Sequence, residues 1–231
     1  MYILHVTNKN YSSWSLRPWV LMRTLGIPFE EQLHRLPYDT PSYPEFRKFS
    51  PTGLVPVLED DGWSSWESLG IVGYLADRHA GIWPTDQRAR DWARCATAEM
   101  HAGFTTLRGS CGMNVGIRTR RPAIAPALQR DLDRLDELWA DGIARFGGPF
   151  LAGREFTAAD AFFCPVAFRI QSYDLPLPPR AAAYVARLLA LPAMQEWTAA
   201  AIAEDFRETV HERETTQAHA LTADHRVPMK S

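Results

Sequence analysis

The sequence predicts an α/β layer joined to an all-α region: a βαβ-ββα N-terminal domain over residues 1–81, then an all-helical domain over residues 86–208. Three observations predict it. Short strand-like and helix-like pieces alternate as far as Gly81-Ile82-Trp83-Pro84. Beyond that break nearly every segment has helical spacing. The turn Asp60-Asp61-Gly62 separates two short apolar runs and makes them a hairpin.

In order along the chain, Tyr2 to Val6 reads as a strand and Asn8 to Ser13 as a polar loop. Leu16, Val20, Leu21 and Leu25 then recur at helical spacing until Gly26-Ile27-Pro28 stops the helix. Pro18 is tolerated in a first helical turn, where its missing N–H has no partner to lose, so the helix is expected to start near Ser13 to Ser15. Phe29 to Leu36 is a weaker second strand; Val55 to Glu59 and Trp63 to Trp66 are the third and fourth. Ser68 to Ala80 is a helix with Gly81 as its cap.

In the second region, Asp86 to about Gly112 reads as one long helix, and Pro126 to Phe146 as another striped by Leu128, Leu132, Leu135 and Trp139. Thr157-Ala158-Ala159-Asp160 has the form of a capping box, with Pro165 expected to kink or open the helix that follows. Pro179 to Ala190 and Ala193 to Glu208 are two more helices. Residues 209–231 are polar and aperiodic and read as a mobile tail.

Composition narrows the function. In a chain of 231 residues, 25 Lys and Arg against 27 Asp and Glu leave a formal charge of -2, which is no footprint for nucleic acid or an anionic membrane. The cluster Arg118, Arg120 and Arg121 reads as a solvated loop. No apolar run approaches the ~18 residues of a membrane span, and Met1 to Val6 reads as a first strand, not a signal peptide. Cys95, Cys111 and Cys164 form no metal or redox motif, which points to reduced thiols, a cytoplasmic location and no metal.

Three short constellations carry chemistry. In Tyr11-Ser12-Ser13-Trp14-Ser15-Leu16-Arg17, hydroxyls gather where a strand has ended and a helix begins. Unpaired N–H groups and a partial positive charge there suit an anion such as a thiolate, although Ser13 or Ser15 would also serve there as a plain helix cap. In Phe49 to Val57, Val55-Pro56 enters a strand, where a cis bond would leave the Val55 backbone open to a peptide-like ligand and a trans bond would make an ordinary loop. In Trp66-Glu67-Ser68-Leu69, a carboxylate and a hydroxyl stand at a helix mouth, able to hold the ammonium and carboxylate of a free amino-acid end, or simply to cap the helix.

In this order and spacing the set resembles the cytosolic glutathione transferase superfamily, over roughly Met1 to Glu208. The resemblance implies a thioredoxin-like first domain that binds glutathione as co-substrate, a helical domain forming the pocket of an apolar electrophile, and a homodimer. The serine-type classes show Ser, two residues, Cys or Ser, one residue, then Arg, which is met by Ser12, Ser15 and Arg17. Ser12 thus matches the thiol-activating position, Val55 and Pro56 the pair that meets the cysteinyl backbone, and Glu67 and Ser68 the pair that grips the γ-glutamyl end. Thr157 and Asp160 match a folding cap. Gly53 stands where many members carry a polar side chain for the glycyl carboxylate. The maleylacetoacetate isomerase class reads Ser-Ser-Cys-Ser where this chain has Ser12-Ser13-Trp14-Ser15. A cysteine-type thiol transferase is disfavoured, because the first domain has no cysteine.

The resulting expectation is a bacterial-type, serine-dependent conjugating enzyme, with Trp14, His101, Phe104 and Arg108 as candidate walls of the electrophile pocket. A glutathione-dependent isomerase or dehalogenase, and a non-catalytic glutathione-binding scaffold, are the competing readings.

Overall fold

In the computed structural model, the described residues are 1–35, 43–120, 123–216 and 220–228. Strand β1 (Tyr2–Thr7) buries Leu4 and Val6 completely on one face and His5 and Thr7 nearly so on the other. It pairs in parallel with β2 (Phe29–His34) and antiparallel with β3 (Val57–Asp60), and β3 pairs with β4 (Trp63–Trp66), giving the order β2-β1-β3-β4. The turn between β3 and β4 is the expected one, with Asp61 and Gly62 both at positive φ. Helix α1 (Ser13–Thr24) starts where expected, but Pro18 is its sixth residue and not in its first turn. It therefore removes the bond an N–H there would make to the Trp14 carbonyl. Leu16, Trp19, Val20, Leu21 and Met22 are all fully buried, because α1 is covered by the sheet, by α3 (Ser68–Ala76) and by two helices of the second region. A short helix, α2 (Tyr43–Phe46), precedes the loop to Val55.

Helix α3 stops at Ala76, with Asp77 rather than Gly81 as its C-cap; Gly81 lies in the turns beyond. The long helix expected to run from Asp86 to Gly112 is two: α4 (Gln87–Ala102) and α5 (Thr105–Ser110). The break has a local cause. Gly103 donates to the Glu99 carbonyl at 2.7 Å, and a Cβ there would lie 2.7 Å from that same oxygen, while Phe104 takes a left-handed conformation with φ 53°. Helix α6 (Pro126–Phe146) has the expected bounds and stripe, ending on Gly147 at φ 74°. Helix α7 (Ala158–Ser172) is the buried axis of this region, and it runs through Pro165. Thr157 and Asp160 form the expected capping box, and the Asp160 carboxylate also accepts from Leu151 N (3.0 Å) and Tyr184 OH (2.9 Å). Helices α8 (Pro179–Leu189) and α9 (Pro192–Ala203) follow; α9 ends five residues before the expected Glu208.

Three further elements were not expected. Ile117–Arg120, read as a solvated loop, is strand β5, and Ala220–Asp224 is β6, paired antiparallel with it. Thr209–Thr216 is helix α10. The segment read as a mobile tail is thus built into the fold by polar contacts, which no apolar period announces. The Glu212 carboxylate accepts from Tyr11 OH (2.8 Å), Asn114 Nδ2 (3.0 Å) and the Arg226 guanidinium (2.5 and 3.0 Å), and Arg226 also pairs with Asp224 at 2.8 Å. Arg121 and, within the tail, residues 217–219 and 229–231 lie outside the described residues.

Candidate functional site

Ser12 is the N-cap of α1. Its Oγ accepts from Ser15 N at 3.3 Å and donates to Ser15 Oγ at 2.7 Å, and Ser15 Oγ in turn accepts from Thr7 N at 3.4 Å. The cap is Ser12 itself and not Ser13 or Ser15, so the cap and the cleft-facing serine are one residue: Ser12 lines a cleft of about 330 Å³ together with Thr7, Tyr11, Trp14, Leu54 and Val55. The positive end of α1 lies at this wall, with Ser13 N donating to the Tyr11 carbonyl at 2.9 Å.

A second lobe of about 360 Å³ is lined by Trp14, Thr52, Leu54, Val55, Pro56 and Glu67. The two lobes share Trp14, Leu54 and Val55. The Val55-Pro56 bond is cis. Among the described residues, the Val55 backbone N–H and C=O have no protein partner, whereas Leu54 on one side is tied to the Ser50 hydroxyl. Glu67 caps α3 at φ 67°, ψ 137°, a conformation costly for a residue with a Cβ. Its Oε1 accepts from Ser68 N at 2.8 Å and its Oε2 lies 2.9 Å from His101 Nε2. Ser68 is fully buried behind it, its hydroxyl between Glu67 Oε1 (3.3 Å) and Arg17 Nη1 (3.4 Å), and it lines neither lobe.

The four residues expected to wall the electrophile pocket separate. Trp14 stands in both lobes. Arg108 lines the Ser12 lobe, its guanidinium 4.9 Å from the Trp14 ring centroid and its Nη1 donating to the carbonyls of His101 (2.9 Å) and Gly103 (3.2 Å). His101 stands one layer back, edge-on to Trp14 with centroids 5.3 Å apart. Burial, and the charges of Arg17 and Arg108, depress its pKa against the opposing pull of Glu67. Phe104 is in the core against Phe163 and outside both lobes: the break after Ala102 turns it away from the face that an unbroken helix would have given it.

The sequence did not single out Tyr11, Arg169, His211 or Glu214, which also line the Ser12 lobe. The hydroxyl of Tyr11 is committed to Glu212, and burial followed by that carboxylate pushes its pKa far up, so it is a poor proton donor toward a thiolate. The only local signal for Tyr11 was its place in the hydroxyl cluster; the other three come from α7 and α10 and had none. A larger hollow of about 530 Å³ opens between β2 and the end of α9, but its Arg35 and Asp205 pair with each other at 2.8 Å and it contains none of the residues above. No group of three metal-ligating side chains occurs among the described residues, nor a helix long and apolar enough to cross a membrane. None of the three cysteines is in a disulfide.

Comparison with known proteins identifies the family. Residues 11–78 match the family model described as glutathione S-transferase, N-terminal domain, and residues 118–200 match glutathione S-transferase, C-terminal domain. Glutathione S-transferase GstB of Escherichia coli (strain K12) is 27% identical over a match covering 74% of this chain and 85% of that protein. Dichloromethane dehalogenase of Methylorubrum extorquens is 37% identical over 30% of this chain and 26% of its own length, and glutathione S-transferase 1 of Manduca sexta 29% identical over 58% and 60%. The chain thus spans less than two thirds of these last two relatives. Among solved structures, a glutathione transferase of Methylococcus capsulatus superposes with a TM-score of 0.65 at 26% identity, covering 87% of this chain and 98% of that one. A glutathione transferase homologue from Burkholderia gl BGR1 with bound glutathione has the same fold, at a TM-score of 0.65 and 23% identity, over 87% and 97%. With both halves matching one family in order, on a sheet and helices that superpose on its solved structures, the chain belongs to the glutathione S-transferase superfamily.

Proposed function

We propose that this protein is a glutathione transferase in which Ser12 stabilises the glutathione thiolate. The observation that carries the reading is the placement of one hydroxyl, at the N-terminus of α1, in a cleft whose opposite wall offers the unpaired Val55 backbone and, beyond it, the Glu67 carboxylate. Residues 1–81 would hold glutathione and residues 86–208 would wall the electrophile. Glutathione would pair its cysteinyl backbone with Val55, beside Pro56, and set its γ-glutamyl ammonium on Glu67. Ser68 and Arg17 hold Glu67 and the start of α3 from behind, a supporting place instead of a direct contact.

The chemistry asked of Ser12 is modest. A free thiol titrates near 8.5, so only a few per cent is thiolate at pH 7. Lowering that by about two units needs about 2.7 kcal/mol. A hydrogen bond to a charged group contributes about 1.5–3 kcal/mol and a helix terminus about 0.3–1. To donate to sulfur, the Ser12 proton must leave Ser15 Oγ, and the Ser15 hydroxyl can then turn its own proton onto Ser12 Oγ at the same 2.7 Å separation. Ser15 is therefore a positioning residue that keeps Ser12 satisfied in both states. The thiolate attacks the electrophile, forming the C–S bond as the leaving group departs with its electron pair. Ser12→Ala should lower kcat roughly ten- to a hundredfold, with the glutathione Kd changed less than about threefold. Steady-state kinetics with a chromogenic aryl halide, beside calorimetric glutathione binding, checks this; unchanged kcat would remove Ser12 from the mechanism.

A further inference from the structure

Two guanidiniums, Arg108 and Arg169, line the Ser12 lobe and a third, Arg17, is stacked on its Trp14 wall, none with a carboxylate of its own. Arg17 is 1% exposed, its guanidinium 4.2 Å from the Trp14 ring centroid and 4.7 Å from that of Phe162. Arg169 is 6% exposed and lines the lobe; its Nη1 donates to the carbonyls of Arg108 (3.2 Å) and Cys111. Arg108 lines the lobe beside it and is held in the same way, by the carbonyls at the end of α4. Carbonyl contacts at helix ends fix a guanidinium in place and leave its charge uncancelled. Among the described residues none of the three forms an ion pair, and the Nε atoms of Arg17 and Arg169 have no partner. Glu67, the acid whose field reaches Arg17, is already engaged by Ser68 N and His101. Burial, then mutual repulsion, lowers Arg17 to about 9; burial does the same to Arg169, to about 10, with Arg108 adding to it. From α10, Glu214 and His211 also line the lobe, and Glu214 is exposed, where solvent screens it.

Burying this much unpaired positive charge is costly, and it is a costly arrangement that a bound anion relieves. The second lobe, with Val55, Pro56 and Glu67, is where the reading above seats glutathione, and Arg108 and Arg169 are not part of it. We propose that Arg108 and Arg169 receive a carboxylate of the second substrate, so that the electrophile this enzyme accepts is an organic anion and not a purely apolar molecule. The proposal rests on the glutathione-transferase reading and deepens it by naming the substrate class.

Calorimetric titration of the full-length protein separates the two. The ligands are glutathione, S-(4-carboxybenzyl)glutathione and S-(4-carbamoylbenzyl)glutathione, which bind whether or not turnover occurs. The expected result is that wild type binds the acid conjugate about tenfold or more tightly than the isosteric amide. Arg108→Gln and Arg169→Gln should close that gap with glutathione affinity retained, and Glu214→Gln, at the exposed rim, should widen it. Should Arg169→Gln fail to fold, the wild-type pair and Arg108→Gln decide. Equal affinities for acid and amide in wild type, with glutathione bound, would overturn this proposal and leave the transferase reading standing. Loss of glutathione affinity in Arg108→Gln as large as the loss for the acid conjugate would also overturn it, because the arginines would then serve glutathione. Failure of all three ligands to bind would overturn both.

Discussion

At the scale of single residues, Glu67 combines three properties that rarely coincide: a left-handed φ of 67°, an exposed carboxylate, and two hydrogen-bond partners that hold it. A non-glycine backbone there costs about 1–3 kcal/mol, which the contacts to Ser68 N and His101 Nε2 offset. Glu67→Gln keeps the shape and removes the charge that an ammonium would meet. Glutathione affinity should drop about tenfold or more, with the fold intact by circular dichroism. Unchanged affinity would mean that the γ-glutamyl end lies elsewhere. Glu67, Ser12 and the Val55-Pro56 pair were legible in the sequence because each sits in a local pattern, a hydroxyl or carboxylate at a helix mouth or a proline entering a strand. Arg169 was not, because it is one basic residue in a helix, and what makes it notable is a pair of carbonyls about 60 positions away. Phe104 was misplaced for the complementary reason: its periodicity was read through Gly103, where the backbone leaves the helix.

At the scale of elements, two carboxylates, the buried Asp160 and the half-buried Glu212, organise the helical region. Asp160 accepts from Leu151 N, Thr157 N, Thr157 Oγ1 and Tyr184 OH, tying the start of α7 to α8. Asp160→Ala strands those donors and should cost about 3 kcal/mol or more in urea unfolding. Burial lifts the Asp160 pKa from 3.8 to about 6 against the pull of its donors. The native state therefore holds this proton more tightly than the unfolded chain does between those values. The group's contribution is largest below pH about 4 and declines as pH rises through 6, so the stability gap between wild type and Asp160→Ala should narrow over that window. A gap that widens would mean that the four donors outweigh burial. Glu212 plays the corresponding part for α10 and β6, through Arg226, whose side chain is 4% exposed. Arg226→Gln should release α10 and β6 to fast amide exchange while α6 and α7 stay protected. Retained protection in α10 would show that Tyr11 and Asn114 suffice to hold it. The capping box was readable because its partners are three residues apart. The α10–β6 segment was not, because Glu212 meets residues 98 and 201 positions away, with no apolar stripe to mark it.

At the scale of the whole molecule, the fold sets a helix N-terminus from the sheet layer against the broken α4–α5 segment, α7 and α10, and the cleft between them gathers Ser12 with Trp14, Arg108 and Arg169. The alternation of strands and helices up to Gly81 made that architecture predictable, since period and turn chemistry are local. How the α4–α5 segment, α7 and α10 meet over Ser12 depends on packing between distant segments, which leaves no periodic trace. The role proposed for this meeting place is to hold a glutathione thiolate stabilised by Ser12. The most direct test is an ultraviolet pH titration of glutathione bound to wild type and to Ser12→Ala, following thiolate absorbance. The expected result is a bound-thiol pKa about two units below the free value of about 8.5, rising again in the variant. Saturable binding with the same thiol pKa in both proteins and in free solution would contradict it.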